Sequence, residues 1–305
     1  MTVPSYAVPS APDPDAPGQV KFPGLVLVST PIGNLGDMSG RAVAALRAAD
    51  LVLCEDTRVT AHLLRHFGVA SRTASLHEHN EDRAIPDVLA RLRAGAMVAL
   101  VSDAGTPLVS DPGYRLVRAA VAEGLAVSAV PGANAAVMAL TLSGLPPHPY
   151  LFHGFLPPRQ AARLAVLRRL RAAEQAGFSA TLVFYESPQR AGETLADLAK
   201  VFGTRPAALA RELTKKFEDV WRGPLPDLAA RCGAAAPRGE VTLVVGPAEA
   251  DASEIGAADL DALLTAALRT QSVREAAAGV AAATGMAKKV VYARALEMVN
   301  GPRTS

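Results

Sequence analysis

An apolar run, Val98-Ala99-Leu100-Val101, stops abruptly in Ser102-Asp103-Ala104-Gly105-Thr106-Pro107, and a second turn signal, Asp111-Pro112-Gly113, follows at once. A short apolar run bounded by turn residues reads as a fully buried strand with a loop at its carboxyl end. In open α/β sheets that edge is where ligands bind. Gly105 lets backbone approach a ligand closely, and Pro107 fixes φ. Such a loop can cradle a nucleotide-like group with main-chain atoms alone. A plain strand-turn-helix joint has the same local signature, so other strand ends must be weighed with it.

The alternation extends in both directions. Strands are expected at Leu25–Val28, Leu51–Cys54, Met97–Ser102 and Ala126–Val130. Helices are expected at Arg41–Ala49, Thr60–Phe67, Asn80–Arg93, Tyr114–Ala122 and Asn134–Leu142, with Asn80 as an N-cap. Strand-helix alternation of this kind argues for an α/β domain with a mainly parallel sheet, residues 24–146. The Gly144-Leu145-Pro146-Pro147-His148-Pro149 stretch breaks the rhythm. A second α+β unit, 147–248, is expected beyond it. It opens on a basic helix, Arg159–Ala173, with strands at Thr181–Tyr185, Ala207–Leu209, Lys216–Arg222 and Val241–Val245. A spacer leads to a helical tail, 258–305. Residues 1–23, rich in Pro, Ala and Ser, read as a disordered arm.

Composition removes several classes. The formal net charge is only +2 over 305 residues, so nothing global demands nucleic acid, and a local patch would have to serve. Cys54 and Cys232 form neither a disulfide framework nor a metal-ligand spacing, and a reducing cytoplasm is the expected compartment. No apolar run approaches about 18 residues, so no membrane span is expected. The dinucleotide fingerprint, the P-loop and the hydrolase elbow are all missing. His62 with His66, and His77-Glu78-His79, lack the further ligands that zinc needs, and no metal is expected.

Five more strand ends carry polar chemistry. Ser29–Asp37 repeats the Gly/Pro loop after the first strand. Glu55-Asp56-Thr57-Arg58 ends the second. It reads either as an acid-base pair with a guanidinium or as a helix cap with a local ion pair. Val130-Pro131-Gly132-Ala133-Asn134 is small enough for a ligand to lie on the backbone, or simply for tight helix packing. Phe184-Tyr185-Glu186-Ser187-Pro188-Gln189-Arg190 and Ala210-Arg211-Glu212-Leu213-Thr214-Lys215-Lys216 bring cations to strand ends. There Arg190, Arg211, Lys215 and Lys216 suit phosphates, or serve as caps and surface charge. His77 and Asn80 form a polar rim expected to touch substrate. The tail, Ser272–Met298, has helix-turn-helix spacing with Lys288, Lys289 and Arg294 on its second helix. It reads as a nucleic-acid contact or as an Ala-rich packing hairpin.

In this order, from Gly24 to Gly246, these motifs resemble the RNA-directed branch of the tetrapyrrole-methylase-like family. Thr30-Pro31-Ile32-Gly33-Asn34 stands where the tetrapyrrole-methylating branch carries a different first loop. The resemblance implies two α/β domains of the tetrapyrrole-methylase type with a cofactor cleft between them, plus the small helical C-terminal module. It implies S-adenosylmethionine as donor and a homodimer. The implied acceptor is a ribose 2′-hydroxyl of a cytidine in small-subunit ribosomal RNA, free or in the assembled 30S particle. Carried over to matching positions, the cofactor contacts are Pro31, Asp103, Gly105, Thr106, Pro107, Ala133, Asn134, Phe184 and Leu213. Glu55, Asp56 and Lys215 are the expected catalytic residues, one of them a general base for the hydroxyl. Arg58, His77, Asn80, Arg190 and Arg211 are the expected substrate contacts, the arginines gripping phosphate. Two rival functions fit parts of the same sequence: C-methylation of a tetrapyrrole, and a non-enzymatic regulator acting through the tail.

Overall fold

The computed structural model describes residues 22, 24–248, 257–284 and 286–300. The expected N-terminal arm, 1–23, lies outside the described residues except for Phe22, and so does Gly285 in the tail's turn. The chain divides into two compact units, one through Gly246 and one from Pro247.

The first unit holds two five-stranded sheets. In the first sheet, β1 (Leu25–Val28), β2 (Leu51–Cys54), β3 (Thr73–Ser75), β4 (Val98–Val101) and β5 (Val127–Val130) run parallel in the order β3-β2-β4-β1-β5. Side chains alternate between its faces. Val26, Val28, Val52 and Ala99 pack on α1 (Gly40–Ala48) and on Leu64 of α2 (Thr57–His66). Leu25, Leu53, Val98 and Leu100 pack on α3 (Glu81–Arg93) and α4 (Tyr114–Ala122). Both faces are covered, which is why these strands read as unbroken apolar runs. Val28 is in register with both Val101 and Val130, so the loops after β1, β4 and β5 leave the sheet at one level.

The helix α5 (Ala135–Ser143) is apolar nearly all round and leads to the second sheet. There β6 (Tyr150–Phe155), β7 (Thr181–Glu186), β8 (Pro206–Arg211), β9 (Asp219–Pro224) and β10 (Val241–Val245) take the order β6-β7-β10-β8-β9. Only β6 and β7 are parallel neighbours. One face packs on α6 (Gln160–Gln175), α7 (Ala191–Phe202) and α8 (Leu225–Ala234). The other carries Val183, Ala208, Ala210 and Val244 against Ala136, Ala139 and Leu140 of α5 and against Ile32 of the β1 loop. That shared cluster ties the second sheet to the loops of the first.

The second unit contains α9 (Ala257–Leu268), α10 (Val273–Thr284) and α11 (Lys288–Asn300) around Leu260, Leu264, Ala277, Val280, Val291 and Ala295. Ser272 and Glu275 start α10 as a capping box: Glu275 N–H donates to Ser272 Oγ at 3.3 Å, and Ser272 N–H to Glu275 Oε2 at 3.1 Å.

Candidate active site

The loop after β4 is threaded against the loop after β1. Thr30 and Gly105 exchange backbone hydrogen bonds at 2.9 and 3.2 Å, and Thr30 Oγ1 donates to the Ser102 carbonyl at 3.0 Å. Gly105 has φ +93, and a Cβ there would sit 3.1 Å from Ile32 Cγ2. Thr106 Oγ1 donates to the Ala133 carbonyl at 3.0 Å, which fixes the third loop to the same knot. Asn134 caps α5, accepting from Val137 N–H at 3.1 Å. Three strand ends are thereby locked together around two adjoining cavities.

The larger cavity, about 420 Å³, is lined by the Asp103–Thr106 loop, Asp111, Asn134, Phe155 and Tyr185, among others. Its volume falls in the range of small-molecule sites, which are mostly apolar with a few placed polar groups. The smaller, about 240 Å³, lies against Pro31, Gly33, His62 and Lys215. Ile32, Asp103, Ala104 and Glu240 border both. Beyond Gly105 the same loop holds two non-glycine residues in the left-handed region, Leu108 at φ 72 and Ser110 at φ 70. Strain of this kind persists where surrounding structure imposes it, commonly at ligand sites. Here it presents Asp111 to the larger cavity.

The charges in the site are unequal in kind. Burial pushes the Asp111 carboxyl up; a hydrogen bond from Ser102 pulls it down, while Glu55 and Asp103 add to the rise, and it sits at about 6. Asp56 is the reverse. Its hydrogen bonds from the Arg58 side chain and backbone hold it down at about 2. Burial acts to lower the Lys215 ammonium, but hydrogen bonds to Glu212 and Glu240, both 2.9 Å, outweigh it and raise it. Lys215 lies across Gly33, where a Cβ would run into its side chain, and the neighbouring Thr214 Oγ1 donates to Asp37 Oδ2 at 2.7 Å.

Of the residues expected from sequence, Pro31, Asp103, Gly105, Thr106, Asn134 and Lys215 border the two cavities. Ala133 lies one bond behind, through Thr106. Asp56 donates its N–H to Asp103 Oδ1 at 3.2 Å, so that strand end braces the site from the side, with Glu55 exposed beside it. Pro107 and Leu213 are buried beneath. Phe184 turns its side chain away from the cavities. Its side chain is fully buried in the core under α7 and α8, and strand alternation gives the cavity to its neighbour Tyr185.

The expected phosphate grips are corrected in part. Arg190 is held inside: its Nη2 donates to the buried Glu186 at 2.9 Å and to the Leu156 carbonyl at 2.8 Å, while Thr194 donates to the same carboxylate at 2.6 Å. Arg211 donates through Nε to the Arg238 carbonyl at 3.1 Å. Arg58 keeps an outward guanidinium, 89% exposed, although it pairs with Asp56. Asn80 stands at the N-cap of α3 without capping it through its side chain: the carboxamide accepts from His77 N–H at 2.9 Å and donates to the Ser75 carbonyl at 3.0 Å, so it braces the rim with His77. In the tail, Arg294 spends its guanidinium on Asp261, at 2.7 and 2.6 Å, which leaves Lys288 and Lys289 as the exposed cations of α11. Among the described residues no group of three or more His, Cys, Asp or Glu is placed to hold a metal.

Sequence reasoning passed over Asp111, Tyr185 and Glu240 as site residues. The second Asp-Pro-Gly was visible, but it read only as a helix start.

A parallel sheet with three strand ends knotted into a paired cavity, closed by a mixed second sheet, defines a methyltransferase class. The sequence profile of the tetrapyrrole (corrin/porphyrin) methylases matches residues 24–229, and the chain belongs to that family. A second profile, the RsmI C-terminal HTH domain, matches residues 254–299. The chain is 47% identical over 286 residues to Ribosomal RNA small subunit methyltransferase I of Mesorhizobium japonicum, covering 93% of this chain and 95% of that one. It is 44% identical over 277 residues to the protein of the same name from Pseudomonas aeruginosa, covering 90% and 96%. Among solved structures, diphthine synthase superposes with a TM-score of 0.55 at 18% identity over 73% of this chain and 90% of its own. A conserved hypothetical protein of Aeropyrum pernix K1 does so with 0.56 at 18% over 92% and 97%. At that identity both speak for the fold alone.

Proposed function

We propose that this methyltransferase moves a methyl group from S-adenosylmethionine to the ribose 2′-hydroxyl of a cytidine in small-subunit ribosomal RNA. The observation that carries the reading is the shared name of relatives 44–47% identical over nine-tenths of the chain. The paired cavity supports it, since the reaction needs donor and acceptor side by side.

The larger cavity fits the donor. Its main-chain loop, Asp103 to Thr106, faces an apolar wall with Tyr185, suited to a nucleoside carrying a charged tail. When bound, the donor supplies an electrophilic methyl on a sulfonium. The chain's own residues do the rest. They align the acceptor oxygen with that carbon, and positioning alone contributes much of the rate. The 2′-hydroxyl is a poor nucleophile until its proton is taken. Of the expected bases, Lys215 is held protonated and Asp56 is locked in its ion pair, so neither fits that step. Asp111, at about 6, is a carboxylate at neutral pH and basic enough to accept the proton. Glu55 acts on it by charge. Lys215 orients, and Arg58 with the His77–Asn80 rim meets the RNA.

The reading also includes a homodimer, supported by the exposed Val137 and Met138 on the strongly apolar α5, and a cytoplasmic location, following from the substrate. No helix among the described residues is long and apolar enough to cross a membrane. We further propose that the two sheets mark two domains, 24–146 and 147–248, with the helical module at 258–305. Purified protein given methyl-labelled S-adenosylmethionine together with small ribosomal subunits lacking native modification should label the RNA. Label entering a porphyrinogen instead, with a coloured product, would move the reading to tetrapyrrole C-methylation.

A further inference from the structure

The basic helix singled out in the sequence has no part in the paired cavity, and the structure sorts its arginines into two kinds. Arg163 is inside, its side chain 1% exposed, bonded to the fully buried Asp197 at 2.8 Å. Asp197 also accepts from Gln160 at 2.9 Å and from Lys200 at 3.0 Å. At the other end of α6, the buried Glu174 takes both guanidinium nitrogens of Arg205, at 2.7 and 3.0 Å, while Arg171 reaches it only at 3.4 Å. Each of the two buried carboxylates is thus already neutralised by a buried arginine.

What remains is surplus positive charge. Leu164, Arg168, Arg171 and Gln175 fall at helical spacing on one face of α6. With Lys200 and Val201 of α7 they line a groove of about 400 Å³ that contains no acidic side chain. Arg168 makes no hydrogen bond or ion pair among the described residues. Glu193 lies 3.7 Å from the buried Arg163, outside the groove lining, and is 74% exposed. The buried pairs fix the helices, so the cations stand on a rigid floor and lose little freedom on binding an anion.

We propose that the α6–α7 groove is a second RNA contact, in which Arg168, Arg171 and Lys200 grip the phosphodiester backbone of the ribosomal substrate away from the reacting nucleotide. The inference rests on the ribosomal RNA reading above. A groove with three cations and an apolar floor of Leu164 and Val201 suits a backbone, because phosphate contacts fix register and affinity without reading sequence.

The test compares the full-length wild type with R168E/R171E, and with R168K/R171K as the charge-keeping control. The acceptors are unmodified small subunits and the naked RNA extracted from them. Wild-type transfer is measured first, and its absence would fail the functional reading rather than this one. With transfer established, the double glutamate variant should raise KM at least about tenfold for both acceptors. Its kcat and its affinity for S-adenosylhomocysteine should be unchanged. The plot of log kcat/KM against log salt should flatten by about 1.5, roughly 0.7–0.9 per lost phosphate contact. The lysine variant should recover most of the KM. An unchanged KM and salt slope would overturn the proposal. So would a loss confined to the assembled particle, which would point to an acidic ribosomal protein instead of RNA.

Discussion

At the residue scale the site turns on which groups hold protons. Asp111 has its carboxyl raised from 3.8 to about 6. The native state therefore binds a proton more tightly than the unfolded chain, and this group's contribution to stability is present below about 4 and lost as pH rises through about 6. Asp111→Asn removes that loss. The variant should be more stable than wild type above pH 6, by on the order of 1–2 kcal/mol after discounting for its partial exposure, with the gap closing below pH 4. Urea unfolding at several pH values reads this directly. The same substitution should slow methyl transfer by about 10²–10⁴-fold and abolish the acidic limb of the rate profile near pH 6. Variant activity close to wild type would remove Asp111 from the chemistry. Lys215 answers to a different test. Lys215→Arg keeps the charge facing Glu212 and Glu240 and should cost less than about tenfold in kcat, whereas an obligatory proton acceptor there would cost about 10²-fold or more.

At the scale of elements, what was legible follows from what leaves a local signal. The strands β1, β2, β4 and β10 are short apolar runs flanked by turn residues, and their ranges match the sequence reading within a residue or two. β3 and β6 were missed for a physical reason. Thr73-Ala74-Ser75 has almost no apolar character, and β6 is an edge strand with a register shift between Phe152 and Gly154, so neither shows a clean period. Both asparagines expected before helices stand at N-cap positions, yet only the Asn134 side chain caps its helix, while that of Asn80 braces the preceding loop. Asn134→Ala should therefore cost about 1 kcal/mol of unfolding free energy, the usual worth of a cap. Strand phase sorts the side chains of β7: Phe184 faces the core and Tyr185 the cavity. Phe184→Leu should cost about 1 kcal/mol in stability and leave donor affinity alone, while Tyr185→Ala should weaken donor binding with little loss of stability. Titration calorimetry with S-adenosylhomocysteine and denaturant unfolding separate the two.

At the scale of the molecule, the first unit works as one site because three strand ends of one sheet share a level and a common cluster anchors the second sheet to them. The repeated Gly/Pro loops announce that arrangement in the sequence. Long-range pairings were not visible: nothing local in Arg205 announces the buried Glu174, and nothing in Arg294 announces Asp261. Charges at strand ends could be counted in sequence, but not divided into those spent on internal carboxylates and those left for a substrate. Methyl-labelled S-adenosylmethionine should be incubated with the wild-type protein and unmodified small subunits, and the RNA digested and mapped by mass spectrometry. A single 2′-O-methylcytidine is the expected product. Label on a base carbon or nitrogen, or none on RNA from a protein that binds the donor, would contradict the assignment.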